Sequence, residues 1–293
     1  MATDSITVTP LTGALGAEIA GVDLSRPLDP SALAAVRKAL LDHLVIFIRG
    51  QTLTPEQHKA FARQFAPFSD VPYIKPMSGH PEIIEIVREA DEKKKSNFGG
   101  KWHSDLSFME EPPLGSVLYA REVPPVGGDT MWCNAYLAYE TLSPGLRAFL
   151  DRTRVMHSAR RSYAPGGAYA DDDLKSMRIQ ASETALAEIA HPSVRVHPET
   201  GRRCLFVNPV YAIRFEDWTE EESAPLLDYL NAHCVKPQFL CRFRWSPGAV
   251  AFWDNRCTQH FAVNDYQGHR RHMQRVTLKG DRPYGVAEAA AGH

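Results

Sequence analysis

Between residues 239 and 245 the chain alternates strictly. Phe239, Cys241, Phe243 and Trp245 fall on one side of an extended backbone, and Leu240, Arg242 and Arg244 on the other. A strand with one covered face reads this way, because successive side chains point to opposite faces. Shorter apolar runs recur along the chain, most of them bounded by glycine or proline: 44–48 before Gly50, 116–121 between two Pro-Pro pairs, and 249–253 after Ser246-Pro247-Gly248. Residues 6–10, 17–24, 83–87, 155–158, 194–197, 204–207 and 271–278 add further short strands. Helices are fewer and carry their own start signals. Asp29-Pro30 opens one, and Thr54-Pro55-Glu56-Gln57 opens another that runs to about residue 65. Ser143-Pro144 and the pair Thr219 and Glu222 open two more. The pattern is mostly β with flanking helices.

The chain has 293 residues, enough for one large domain with a substantial core. No repeat or low-complexity linker divides it, so residues 1–293 read as a single domain. Loops at about 66–101 resemble a lid, and an insert spans about 160–190. Within the first, the polar run from Asp91 to Asn97, with Lys93-Lys94-Lys95, is read as solvated before it is read as a hinge. A net charge of −2 excludes a general nucleic-acid binder, which needs a basic excess. The longest apolar runs are strand-sized, so no membrane span is expected, and residues 1–13 lack a signal-peptide pattern. Five scattered cysteines with no C-x-x-C pair read as reduced thiols of a cytoplasmic protein.

The chemistry concentrates at Trp102-His103-Ser104-Asp105. On an extended segment, a histidine and an aspartate two positions apart point to the same side, which supplies two thirds of a 2-His-1-carboxylate facial triad. His260 is the expected third ligand. Three ligands on one face of an octahedron leave three positions open, as a non-haem Fe(II) needs if it is to hold a chelating cosubstrate and O2 together. A 2-oxo acid such as 2-oxoglutarate fits, and its far carboxylate then requires a cation. Arg271, eleven positions after His260, and Arg275, four further on, share one strand face. Two unpaired arginines there would be costly unless anions meet them, so both a cosubstrate and a substrate anion are expected.

With these motifs in hand, the chain resembles the taurine/2,4-D dioxygenase family of Fe(II)- and 2-oxoglutarate-dependent oxygenases from residue 6 to residue 283. The resemblance is carried by Trp102-His103-Ser104-Asp105, Gly127-Gly128-Asp129-Thr130, Trp253-Asp254-Asn255-Arg256 with Thr258-Gln259-His260, and Arg271 through Gly280-Asp281. It implies a double-stranded β-helix (a jelly roll, cupin-like), iron on His103, Asp105 and His260, and 2-oxoglutarate held by Thr130 and Arg271. Arg275 would face either the substrate anion or the metal-side carboxylate of the cosubstrate. A homo-oligomer, dimer or tetramer, is also implied. The reaction would turn 2-oxoglutarate into succinate and CO2 and hydroxylate a small sulfonate, sulfate ester or aryloxyalkanoate beside its heteroatom. The taurine-cleaving members carry a histidine where Val71 stands and an asparagine where Gly99 stands, which points away from taurine. The run Val71-Pro72-Tyr73-Ile74-Lys75 looks more like the aryloxyalkanoate-cleaving members. Tyr73 or Lys75 would then line the substrate mouth, with Val71, Leu106 and Arg275 on the substrate side.

Two other functions use the same residues. A zinc hydrolase on the same barrel needs only three ligands and a water, but gives Arg271 and Thr130 no purpose. A non-catalytic binding protein would capture ligand without product. Elsewhere the plainer readings lead: His191 and His197 as turn-associated histidines, and His269 and His272 without ligand roles. Arg160 and Arg161 are read as solvated, and Trp102, Phe252 and Trp253 as core or pocket wall.

Overall fold

The computed structural model describes residues 6–92, 97–170 and 177–290. Lys93-Lys94-Lys95 and Asp171-Asp172-Asp173 lie outside the described residues. The larger sheet has seven strands in the order Thr7–Pro10, Ala17–Ala20, Val45–Ile48, Val250–Asp254, Gly115–Glu122, Arg271–Leu278 and Ile83–Arg88. Facing it is a three-stranded sheet in the order Leu240–Phe243, Thr130–Asn134, Thr258–Ala262. The result is a jelly roll.

Packing explains the apolar runs. Val45, Phe47, Ala251 and Trp253 point between the sheets and meet Trp132, Cys241 and Phe243 of the smaller one. Phe47 stacks on Phe243 with ring centroids 4.0 Å apart. Ile46, Ile48, Val250 and Phe252 point the other way, onto the helices Pro30–His43 and Pro55–Arg63. A strand covered on both faces loses its polar alternation, so these strands read as continuous runs. The 239–245 stretch keeps its alternation because Arg242 and Arg244 remain exposed.

The helix starts follow their signals. Asp29 accepts from the Ala32 amide, and Thr54 with Gln57 and Thr219 with Glu222 form complete capping boxes. Leu44 closes the first helix in the left-handed region (φ 65°), which is why the next strand begins one residue later than the apolar run. Among its described residues the insert is helical at Arg160–Tyr163 and in a short turn at Glu183–Leu186. Four strands had no clear sequence signal: Thr130–Asn134, Glu188–Pro192, Ala212–Phe215 and Thr258–Ala262. No helix among the described residues is long and apolar enough to cross a membrane.

Candidate active site

His260 sits on the strand Thr258–Ala262 of the smaller sheet. His103 reaches it through a single antiparallel bridge, with His103 N–H donating to His260 O at 3.1 Å and His260 N–H to His103 O at 2.8 Å. Direct cross-strand opposition brings the two rings to 4.2 Å between centroids. Here the sequence expectation needs correction. Only His103 is paired as a strand; the chain turns at Asp105, and Leu106 takes a φ of 49°. The carboxylate therefore arrives by a turn and not by period-two alternation, yet it converges on the same point. Asp105 Oδ1 lies 3.6 Å from His103 Nε2 and 4.0 Å from His260 Nε2.

The donor set suits a cation. His103 Nδ1 donates to Lys101 O at 2.7 Å, which leaves the Nε2 lone pair facing inward. Burial, with His103 and Arg275 nearby, holds His260 well below the usual imidazole range, so that ring is neutral. Burial opposes ionisation of Asp105, but the Arg275 guanidinium outweighs it and holds the carboxyl well below its usual range. Two imidazole nitrogens and a carboxylate oxygen thus lie together, all within 4.8 Å of one another. Their spacing is somewhat wider than the ~3 Å edge of an octahedron with bonds of about 2.1 Å. The residues fit a divalent ion such as Fe(II).

Arg275 is not unpaired, as the sequence reading supposed. Its Nη1 donates to Asp105 Oδ1 at 2.8 Å, and Ser116 Oγ donates to Oδ2 at 3.2 Å. Arg271, on the same face of the same strand, is different. It is buried, and no carboxylate among the described residues lies within ion-pairing distance of it. Its Nε donates to Gly128 O at 3.2 Å. Gly128 holds a φ of 69°, and a Cβ there would stand 3.3 Å from Arg271 Cδ and Nε. Asp265 locks that turn by accepting from Gly128 N–H at 2.7 Å. Thr130 is buried next to it and accepts from Trp245 Nε1–H at 3.0 Å, and Arg271 lies over the rings of Trp245 and Tyr266. Desolvation draws the pKa of Arg271 down, and Tyr266 and Asp129 offset it only in part.

On the open side of His103 lies a small cavity lined by Phe98, Tyr163, Tyr169, Val210 and Tyr211. Its walls form a chain of rings. Phe98 meets Tyr169, Tyr169 meets Tyr163, and Phe108 packs on Tyr211 at 4.9 Å. Tyr73, at φ 68°, stacks on Tyr163 at 5.1 Å, and Val71 packs into the same cluster. Leu106 is buried. Lys75 is exposed beside the buried Ile74. No motif marks Phe98, Phe108, Tyr163, Tyr169 or Tyr211; the only hint in the sequence is the density of tyrosine in the insert. Asn97, read as part of a solvated run, is buried, and its amide donates to Ala262 O at 3.0 Å.

The other histidines singled out in the sequence lie outside this cluster. His191 is buried in the strand Glu188–Pro192, and His197 is buried just before the turn at 198–200, as a turn-associated residue. His197 forms a second possible ligand group with Asp254 and Cys257. Its ring is already used: Nε2 bonds Asp254 at 3.0 Å, and Nδ1 accepts from the amides of Glu199 and Thr200. Asp254 is further taken by both arms of Arg256, so no lone pair is left for an ion. His272 pairs with Glu85, and Arg160 and Arg161 pair with Glu188 and Glu220 on the surface. Trp102 leans half-buried on Phe261.

A two-histidine, one-carboxylate cluster thus lies between the sheets of a jelly roll, and the facing strand carries a buried arginine with no carboxylate among the described residues within ion-pairing distance. The family described as "Taurine catabolism dioxygenase TauD, TfdA family" matches residues 7–277. The alpha-ketoglutarate-dependent sulfate ester dioxygenase of Pseudomonas putida is 35% identical over 280 residues, 95% of this chain and 91% of that protein. The alpha-ketoglutarate-dependent 2,4-dichlorophenoxyacetate dioxygenase of Cupriavidus pinatubonensis is 31% identical over 94% of this chain and 99% of its own. The crystal structure of a taurine dioxygenase from Burkholderia xenovorans superposes with a TM-score of 0.81 at 40% identity, covering 97% of this chain and 94% of that one. The chain belongs to the TauD/TfdA family of alpha-ketoglutarate (2-oxoglutarate)-dependent dioxygenases.

Proposed function

We propose that His103, Asp105 and His260 hold a ferrous ion and that Arg271 and Thr130 take the distal carboxylate of 2-oxoglutarate. The substrate is a small organic anion with an apolar body, a sulfate ester or an aryloxyalkanoate in preference to taurine. The observation that carries this is the pairing of a three-donor cluster with a buried guanidinium that has no carboxylate partner of its own. When bound, the ferrous ion supplies O2 activation coupled to oxidative decarboxylation of 2-oxoglutarate to succinate and CO2, with hydroxylation of a substrate C–H bond.

The protein's own part is positional and electrostatic. Neutral imidazoles and one carboxylate leave the site net positive, which favours an anionic chelator. Arg275 spends its charge on Asp105, keeping that carboxylate ionised and aimed. Arg271, fixed by the Gly128 carbonyl, offers its remaining N–H groups to a carboxylate in bidentate fashion. The rings of Phe98, Tyr163, Tyr169 and Tyr211 exclude water and give an alkyl or aryl body a surface to pack on. Burial pushes the Tyr163 and Tyr211 hydroxyls up, so they stay protonated donors. Val71 and Gly99 leave a sulfonate neither the histidine nor the asparagine expected of taurine-cleaving relatives. The sulfate ester and phenoxyacetate relatives support the apolar alternative.

A panel of alkyl sulfates, aryloxyalkanoates and sulfonates tests the proposal, read by succinate and by sulfate, phenol or sulfite together. Succinate release that needs Fe(II), O2 and one of the first two classes is expected. Product release with Zn(II) and no succinate would mean a hydrolase instead.

A further inference from the structure

The Asp105 carboxylate is held by Arg275 and Ser116, but its main chain is held by a side chain to which the proposed chemistry gives no role. Asn255 is almost wholly buried, at 1% exposure, in the connection between the strands Val250–Asp254 and Thr258–Ala262. Its Oδ1 accepts from Asp105 N–H at 2.7 Å, and its Nδ2 donates to Asp105 O at 2.9 Å and to Pro113 O at 3.3 Å. One amide thus makes both hydrogen bonds that a neighbouring strand would make, at the point where the chain leaves its bridge to His260 and turns. No other described residue hydrogen-bonds to the Asp105 main chain.

The need for such a clamp is visible in the next residue. Leu106 sits at φ 49°, a left-handed conformation that a branched side chain adopts only where its surroundings over-determine it. On its far side, Ser107 Oγ accepts from Asn208 Nδ2 at 2.9 Å and bonds His157 Nδ1 at 3.0 Å. The turn is therefore gripped before and after Leu106. Asn255 is itself anchored, its N–H donating to Leu114 O at 2.9 Å, and it stands five positions before His260 on the same run of chain. Its amide links the frame of one ligand to that of another.

We propose that Asn255 is a positioning residue for the metal site: it fixes where the Asp105 carboxylate stands relative to His260 and so sets metal affinity. This rests on the reading of His103, Asp105 and His260 as metal ligands. It predicts an effect distinct from that of a general tie between the two segments. Ser104 provides that comparison, because its Oγ donates to Thr258 O at 2.8 Å and joins the same two stretches without touching Asp105.

The experiment is Mn(II) titration of the metal-free full chain, read by loss of the free-ion electron paramagnetic resonance signal, with the folded fraction set by circular dichroism. Asn255→Ala should raise the Mn(II) dissociation constant at least about tenfold, as loss of an outer partner of a metal ligand does, while Ser104→Ala should stay within about twofold of the parent. Asn255→Asp, which keeps the acceptor for Asp105 N–H but loses both donated bonds, is the second variant and should also weaken binding. Asp105→Ala separates the two levels of the argument. Tight Mn(II) binding by the parent that Asp105→Ala abolishes and Asn255→Ala leaves unchanged would overturn the role of Asn255 alone. Parent and Asp105→Ala chains that bind Mn(II) alike would overturn the metal site and this inference together. Equal weakening in Asn255→Ala and Ser104→Ala, or failure of both Asn255 variants to fold, would make the amide a tie of the fold and refute a positioning role.

Discussion

Replacing Gly128 with alanine separates the stability of the Gly127-Gly128 turn from its service to Arg271. The new Cβ would stand 3.1 Å from Pro124 Cγ and 3.3 Å from Arg271 Cδ and Nε, close enough that the arginine must shift by a few tenths of an ångström. The φ of 69° adds about 1–2 kcal/mol of left-handed strain for a residue with a Cβ. For a chain of this size that is a fall of roughly 2–4 °C in melting temperature. The larger effect falls on the cosubstrate. Moving the guanidinium weakens its 3.2 Å bond to Gly128 O and spoils one of two charge-assisted hydrogen bonds to a carboxylate, worth about 1.5 kcal/mol, or roughly tenfold in the KM for 2-oxoglutarate. Turnover at saturating 2-oxoglutarate should change little. Gly127→Ala is the control: its Cβ would collide with Asp265 at 2.6 Å, so it should cost more stability while disturbing Arg271 less. Succinate formation against 2-oxoglutarate concentration, beside a thermal melt, reads both. If Gly128→Ala melted lower with an unchanged KM, Arg271 would not be the cosubstrate anchor.

Other perturbations follow from the same contacts. Asp105→Ala should abolish both succinate formation and divalent-metal binding, because it removes the only carboxylate of the cluster; wild-type-like turnover would exclude the triad. Arg275→Gln should weaken metal binding before it alters 2-oxoglutarate affinity, since the charge of Arg275 is spent on Asp105; a selective loss of substrate or cosubstrate affinity would contradict that pairing. His58 and His191 are both held down to about 4 by burial. A depressed imidazole contributes stability that is present above its unfolded pKa and lost as pH falls through its folded one. Denaturant midpoints should therefore drop between about pH 6.5 and 4, each ring contributing at most about 3 kcal/mol. His58→Asn should flatten that slope, and an unchanged slope would refute the assignment.

The cluster of His103, Asp105 and His260 and the buried Arg271 could be singled out because metal and carboxylate chemistry restrict residue type sharply, and the structure brings the first three together and buries the fourth. The helix starts were legible for a similar reason, since caps and N1 prolines act within four residues. What escaped depends on tertiary contact. The period-two argument for His103 and Asp105 reached the right pair through the wrong geometry, because the turn at Leu106 is stabilised by Asn255 and Ser107, which gives no local signal. The pairing of Arg275 with Asp105 spans 170 positions, and nothing in the spacing distinguishes it from the unpaired Arg271. The aromatic wall is assembled from residues 98, 108, 163, 169 and 211, which only the fold brings together. Thr258–Ala262 was obscured because its strand carries site chemistry, Gln259 and His260, where an apolar alternation would have marked it.

The His103–His260 bridge joins stretches of chain far apart in sequence, and its consequence concerns when the site comes into being. An unfolded polypeptide has no way to gather those ligands in advance, so a divalent cation discriminates almost completely between the native and denatured ensembles. Loading at a hundred times the dissociation constant would then add about 2.7 kcal/mol to the unfolding free energy by mass action alone. On the proposed assignment of His103, Asp105 and His260 to a ferrous ion, iron supply would govern how long the polypeptide survives proteolysis as well as how fast it works.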